Sequence, residues 1–211
     1  MPSELVHGLG RRFARLATNL TVRRPALWPV VRPLMRLQFD WLAPHWDGLR
    51  QPGYMAAFEA GLPAVPPPRR VLDVGTGTGV GAFAIAARFP DADVVGIDLS
   101  EDMVAEARRK TPPELAGRVR FEQADAARLP FPDDSFDLLT LGNMIPFFDE
   151  LARVLAPGGT LLVAFSFGPE TPIYVPFERL RAELGRRGFA HFAEFAAGSG
   201  TALLARKGAP G

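Results

Sequence analysis

Cysteine is missing from the chain altogether, which excludes a disulfide framework, a thiolate nucleophile and any cysteine-based metal site. Histidine is scarce: His7, His45 and His191 are the only imidazoles, and no two have the close spacing of a helix-borne zinc motif. No metal site is expected. The sequence also lacks any uninterrupted apolar run of the roughly 18 to 20 residues that cross a bilayer. Its N-terminus lacks the apolar core and small-residue cleavage site of a secretory leader, so a cytoplasmic location is the expectation. Net charge is small as well. Lys and Arg number 24 against 23 Asp and Glu, and the resulting +1 gives no basic excess that would draw the chain to nucleic acid.

What is present is 211 residues with the ordinary balance of a folded chain, 47% hydrophobic and 22% charged. That length fits one core plus an appendage. The charge divides unevenly: residues 1–70 hold ten basic and four acidic side chains, net +6, and residues 71–211 hold fourteen and nineteen, net −5. From Leu5 to Leu20 the apolar positions Leu5, Val6, Leu9, Phe13, Leu16, Ala17 and Leu20 recur at helical spacing. Pro25, Pro29, Pro33, Pro44 and Pro52 are then expected to cut the next stretch into short pieces. The run Leu62 to Pro68 reads as a stiff extended connector, so that residues 1–68 form a helical arm and 69–211 a second unit.

From Arg70 the rhythm is strand, glycine turn, helix. Strands are expected at Val71–Val74, Val94–Asp98, Val119–Gln123, Phe136–Leu141 and Thr160–Ser166, and helices at Val80–Phe89, Glu101–Lys110 and Phe147–Leu155. Such alternation implies an α/β fold, a mostly parallel sheet with helices on both faces. A helix at Pro176–Arg187 follows, then strands Phe189–Ala196 and Thr201–Arg206, whose short Gly198-Ser199-Gly200 link makes an antiparallel hairpin.

The chemistry sits where the first of these strands ends. Val71-Leu72-Asp73-Val74-Gly75-Thr76-Gly77-Thr78-Gly79-Val80-Gly81 puts an acid two residues before four alternating glycines, between strand and helix. Glycines there allow a tight turn and close approach of a ligand to the main chain. A nicotinamide fingerprint can be matched only from Gly77, Gly79 and Ala82. Asp98, 23 residues after Gly75, suits a ribose in either case. Asp73 tips the balance, because its carboxylate favours a ligand with positive charge and repels a pyrophosphate.

These residues resemble the class I S-adenosylmethionine-dependent methyltransferases, and within them the group containing ubiquinone and menaquinone biosynthesis enzymes. The resemblance runs from about Arg69 to Arg206. It rests on Leu72 to Gly79, on Gly96-Ile97-Asp98-Leu99-Ser100-Glu101-Asp102-Met103, on Gln123-Ala124-Asp125-Ala126 with Leu129-Pro130-Phe131, on Phe136-Asp137-Leu138, and on Leu151 to Gly159. It implies a Rossmann-like sheet of seven strands, and S-adenosylmethionine as cofactor with S-adenosylhomocysteine as product. Gly75, Thr76, Gly77 and Gly79 would wrap the methionine portion with Asp73 near its ammonium. Asp98 would accept both ribose hydroxyls, Leu99 and Met103 would line the adenine slot, and Asp125 with the Ala126 main chain would read the adenine edge. Gly142 and Asn143 fall where the family lines the reacting methyl group. Plainer readings stand beside these: Asp73 or Asp125 as turn caps, Leu99 and Met103 as core, Asn143 as a turn residue.

The chain departs from its relatives after the fourth strand, where Asn143-Met144-Ile145-Pro146-Phe147-Phe148 offers no evident general base. His45, Tyr54, Tyr174 and His191 are the remaining candidates, with His191 read more simply as a polar strand residue. Methyl transfer from a sulfonium needs no protonation of the leaving group, so positioning can supply much of the rate. The arm is expected to close over the acceptor, its Trp41, Trp46, Tyr54, Met55 and Phe58 forming an apolar aromatic wall or simply packing on the sheet. Its basic amphipathic helix also fits a weak membrane-surface contact, against the simpler reading of a solvated face. Three classes follow: a small-molecule methyltransferase, a protein that binds the same cofactor without transfer, and a nicotinamide oxidoreductase.

Overall fold

A computed structural model describes residues 2–209, with side chains described from residue 10 onward. The expected strands form: β1 (Arg70–Val74), β2 (Asp93–Asp98), β3 (Val119–Gln123), β4 (Phe136–Gly142), β5 (Leu155–Phe165), β6 (Phe189–Ala197) and β7 (Gly200–Lys207). They make one sheet in the order β3-β2-β1-β4-β5-β7-β6, parallel through β5 and antiparallel where β7 meets β5 and β6. The fifth strand starts earlier than expected. Its first residues, Leu155 to Gly159, carry the turn into the strand with Gly158 at φ +75.

Alternation along each strand feeds two cores. Val71, Val94, Leu138 and Leu162 point to one face, where α4 (Val80–Arg88) and α5 (Glu101–Lys110) cover them. Leu72, Val95, Leu139 and Leu161 point to the other, beneath α6 (Phe148–Val154) and α7 (Phe177–Gly185). Burial on both faces is why the strands read as near-continuous apolar runs.

The arm corrects one expectation. Its helices are α1 (Pro2–Arg23), α2 (Trp28–Leu42) and α3 (Ala56–Gly61), and α2 runs for 15 residues straight through Pro29 and Pro33. Pro29 stands in the first turn, where a backbone N–H has no partner within the helix; Pro33 removes a single bond, the one to the Pro29 carbonyl. Burial of Trp28, Val31 and Met35 offsets that loss. Pro25 and Pro44 likewise open short 3-10 turns instead of cutting helices. Of the α1 stripe read from sequence, Leu5, Val6 and Leu9 lie outside the described side chains, as does His7.

The arm straddles the sheet. Ala14, Ala17, Trp28, Val31 and Met35 join the core under α6 and α7, while Ala57 and Phe58 of α3 join the opposite core. The connector begins with a 3-10 turn, Leu62–Ala64, before it extends. Strand order reverses between β1 and β4, so the loops leaving their carboxyl ends diverge and open a crevice, the usual ligand position in such sheets.

Candidate active site

A cavity of about 480 Å³ occupies that crevice, with the glycine loop as part of its floor and the arm as its roof. The loop is held mainly by β2. The N–H groups of Gly75 and Thr76 both donate to the Ile97 carbonyl, at 2.9 and 2.8 Å, and that of Gly77 donates to Asp98 Oδ2 at 2.9 Å. The Gly79 N–H donates to the Thr76 carbonyl at 3.0 Å. None of these four amides is left over to cradle a phosphate. Gly75, Gly77 and Gly79 all have positive φ, so any other residue would be strained there.

Asp73 braces the loop from below. It is 3% exposed, and its two oxygens accept from the hydroxyls of Thr76 (2.7 Å) and Thr140 (2.6 Å). Burial raises its pKa, opposed chiefly by those two hydroxyls. Thr140 lies directly across from Asp73 in the β1–β4 register, a polar residue in an apolar strand. That mismatch was the signal in the sequence for a partner that motif reading missed.

Asp98 closes β2. Its Oδ1 accepts from the Ser100 N–H and its Oδ2 from Gly77, each at 2.9 Å, and burial pushes its pKa up to about 6 against the pull of those amides. Each carboxylate oxygen has two acceptor sites. Asp98 therefore keeps acceptor capacity beyond these amides, and it lines the cavity. Leu99, Met103, Ala126, Gly142 and Asn143 stand at the cavity wall together with Asp73, Gly75, Thr76, Gly77 and Asp98. Met103 is also fixed from behind, since its N–H donates to the Ser100 hydroxyl that caps α5.

Two of the sequence-read residues are placed elsewhere. Gly79 faces the rings of Phe83 and Phe121, where an added Cβ would come within 3.0 and 2.8 Å, so it serves the turn into α4. Asp125 accepts from Trp28 Nε1 at 2.9 Å, from Arg32 at 3.1 Å and from the Ala127 N–H at 2.9 Å. The arm has claimed this carboxylate. Asn143, at φ +53, clamps the ends of β4 and β5: its amide exchanges two hydrogen bonds with Ser166, both at 2.9 Å.

The arm brings polar groups that sequence reading did not single out. Arg50 donates to Thr78 Oγ1 at 2.6 Å and pairs with Asp47 at 2.8 Å; Asp47 also accepts from Lys110 at 2.8 Å. These ties bind the arm to the loop and to the end of α5. Arg50 also lies over the Tyr54 ring, 4.8 Å from its centroid. Both residues line the cavity, and Arg50 Nε and the Tyr54 hydroxyl are buried with no partner in the protein. Burial pushes the Tyr54 pKa up to about 12, so it is a proton donor at neutral pH and no base. His45 and His191 are exposed and Tyr174 packs edge-on against Phe165, all three away from the cavity wall. Trp41, Trp46, Tyr54, Met55 and Phe58 do line it, and Met144 lies against Gly75, 2.8 Å from where a Cβ would stand.

Residues 71–159 match the methyltransferase domain family. The chain belongs to the class I S-adenosylmethionine-dependent methyltransferases. It is 48% identical over 104 residues to the demethylmenaquinone methyltransferase of Thermus thermophilus, covering 46% of each chain. To the ubiquinone/menaquinone biosynthesis C-methyltransferase of Geotalea daltonii it is 35% identical over 158 residues, 67% of this chain and 66% of the other. In fold it is similar to an S-adenosylmethionine-dependent methyltransferase from Aquifex aeolicus, with a TM-score of 0.63 at 21% identity, covering 76% of this chain and 95% of that one. The matched segments span less than half the length of the first of these relatives.

The family's cofactor is S-adenosylmethionine, and the cavity suits it. Asp98 has acceptor sites in reserve for vicinal hydroxyls, the amides of Gly75, Thr76, Gly77 and Gly79 are already engaged, and Arg50 Nε and the Tyr54 hydroxyl are donors without a partner.

Proposed function

We propose that this protein transfers a methyl group from S-adenosylmethionine to a small, hydrophobic, ring-bearing acceptor. The observation that carries the reading is the glycine loop, whose Gly75, Thr76, Gly77 and Gly79 amides are turned to β2 or to the loop itself while Asp98 beside it keeps outer lone pairs. Such a floor suits a ribose at Asp98, and the carboxylates of Asp73 and Asp98 disfavour a pyrophosphate beside it. When bound, S-adenosylmethionine would supply an electrophilic methyl on a sulfonium, which the acceptor attacks in line as the carbon–sulfur bond breaks and S-adenosylhomocysteine leaves.

The chain's own residues hold and orient. Asp98 accepts the ribose hydroxyls, Arg50 and Tyr54 donate to the methionine carboxylate, and Leu99 and Met103 sandwich the adenine. With Asp125 engaged by Trp28 and Arg32, reading of the adenine edge falls to the Ala126 main chain. The arm, residues 1–68, serves as a lid, and its aromatic residues with Met144, Ile145 and Phe165 give the acceptor a largely apolar chamber. Relatives named for demethylmenaquinone make a quinone-like ring the first acceptor to try. Tyr54 stays protonated at neutral pH and is assigned no role as a base; rate is ascribed to positioning the reactants at near-attack distance, with any proton on the acceptor passing to solvent.

Calorimetry decides the first step. S-adenosylmethionine and S-adenosylhomocysteine are expected to bind in the micromolar range, about −8 kcal/mol, and NAD not at all. Equal binding of NAD, or no binding of either sulfur compound, overturns the reading. Release of S-adenosylhomocysteine in a screen of quinol and phenol acceptors decides the second. Binding without release from any acceptor leaves a cofactor-binding protein that does not transfer.

A further inference from the structure

The large exposed apolar side chains among the described residues all belong to the arm. On α2, Val30 (73% exposed), Leu34 (56%), Leu37 (67%) and Trp41 (61%) recur three or four residues apart and form one stripe, turned away from the buried Trp28, Val31 and Met35. On α1, Leu16 (66%) and Leu20 continue the face. Phe13 meets Leu34, Leu37 and Trp41 in a shallow groove between the two helices. Single exposed apolar residues are ordinary; a contiguous face across two helices marks something that covers it.

Charge says what covers it. Residues 10–42 contain seven arginines and a single carboxylate, Asp40, which pairs with Arg36. Arg11 and Arg15 turn inward onto the carbonyls of Pro169, Glu170 and Thr171. Arg12, Arg23 and Arg24 are exposed and form no ion pair among the described residues. Arg12 stands one turn before Leu16 and Arg23 one turn after Leu20, so cations border the apolar stripe. A second copy of this chain would bring like charges together across the contact, which is unfavourable.

Position says why. Gln38 and Trp41 belong both to the exposed groove and to the wall of the main cavity, so the apolar face runs to the cavity's edge. No helix among the described residues is long and apolar enough to cross a membrane, so contact would be with a surface.

We propose that the α1–α2 face lies on an anionic lipid surface, with its apolar stripe at the acyl boundary and Arg12, Arg23 and Arg24 among the headgroups. A lipid-soluble acceptor then enters the cavity past Gln38 and Trp41; this last clause alone rests on the methyltransferase reading.

Flotation of the full chain with vesicles tests it, using phosphatidylcholine alone and phosphatidylcholine mixed with phosphatidylglycerol. The chain is expected to float with the anionic vesicles, with a partition about tenfold above the zwitterionic ones, and to be released by salt. The triple variant Val30→Ser, Leu34→Ser, Leu37→Ser and the double variant Arg12→Glu, Arg23→Glu are expected to stay unbound. All five positions are exposed and outside the cavity wall, so both variants should keep the parent's melting temperature and its affinity for S-adenosylhomocysteine. The proposal is overturned if the full chain does not float, if the triple variant floats equally well, or if light scattering shows a dimer that the serines dissolve. Failure to bind S-adenosylhomocysteine in the same samples would instead sink the methyltransferase reading and leave the surface standing.

Discussion

The cofactor floor and the arm above it handle their polar atoms in opposite ways. On the floor both carboxylates are engaged from within: Asp73 by two threonines, Asp98 by two amides. In the arm, Thr21 Oγ1, Gln38 Oε1, Asp40 Oδ1, Arg50 Nε and the Tyr54 hydroxyl are buried without a partner. An unanswered buried polar atom carries a penalty of roughly 1 to 3 kcal/mol, so such atoms persist where something else supplies the missing partner. The floor is braced before a ligand arrives, whereas Gln38, Arg50 and Tyr54 of the arm bring unpartnered atoms to the cavity wall.

Breaking the join between the two regions gives the largest expected effect. Trp28 is buried, packs edge-on against Phe147 at 5.0 Å and donates to Asp125. Trp28→Ala should remove about 3 to 5 kcal/mol, which for a chain of this size lowers the melting temperature by about 10 °C. Calorimetric melting checks it, and an unchanged main transition would mean that the arm unfolds as a separate unit. Next comes the floor itself. Asp98→Ala removes acceptors for two charge-assisted hydrogen bonds and should weaken S-adenosylhomocysteine binding about a hundredfold; unchanged affinity would show that the ribose sits elsewhere.

The arm's share is smaller and can be separated. Arg50→Gln should weaken S-adenosylhomocysteine about tenfold while leaving adenosine, which lacks the carboxylate, unaffected. Equal weakening of both would place Arg50 in bracing the loop only. The mildest perturbation is pH. With the Asp98 pKa near 6 in the ligand-free protein, lowering pH from 7.5 to 5 protonates most of this acceptor and should weaken binding about tenfold. Ligand-free stability moves the other way. The folded state holds this proton up to pH 6 and the unfolded state only to about 4, so Asp98 makes the protein less stable as pH rises through that window. A rise in melting temperature on adding S-adenosylhomocysteine should therefore be larger at pH 7.5 than at pH 5.

The sheet, its order of elements and the place of the cofactor floor were legible because they are local. Glycines and acids stand at strand ends within a few residues of one another, and apolar runs bounded by turns define the strands. The arm resisted reading because its decisive contacts join distant parts of the chain. Trp28 meets Asp125 across 97 positions and Arg50 meets Thr78 across 28, with nothing in either neighbourhood that names the other. Asp125 was assigned by resemblance to the adenine, a reading that could not see the tryptophan competing for it. The proline-rich stretch misled for a different reason. A count of prolines carries no information about where in a turn each one falls.

Where they fall matters beyond the helix they were expected to break. Pro25, Pro29, Pro44 and Pro63 each stand in the first turn of their element. At such compatible positions a proline acts mainly on the unfolded chain, removing conformations that folding would otherwise give up, by roughly 0.4 to 1 kcal/mol per site. The arm thus begins with fewer shapes to lose than a proline-free segment of the same length. Its order is partly written into the disordered state, which lets a segment with buried unpartnered atoms and an uncovered apolar face still hold one conformation over the cavity.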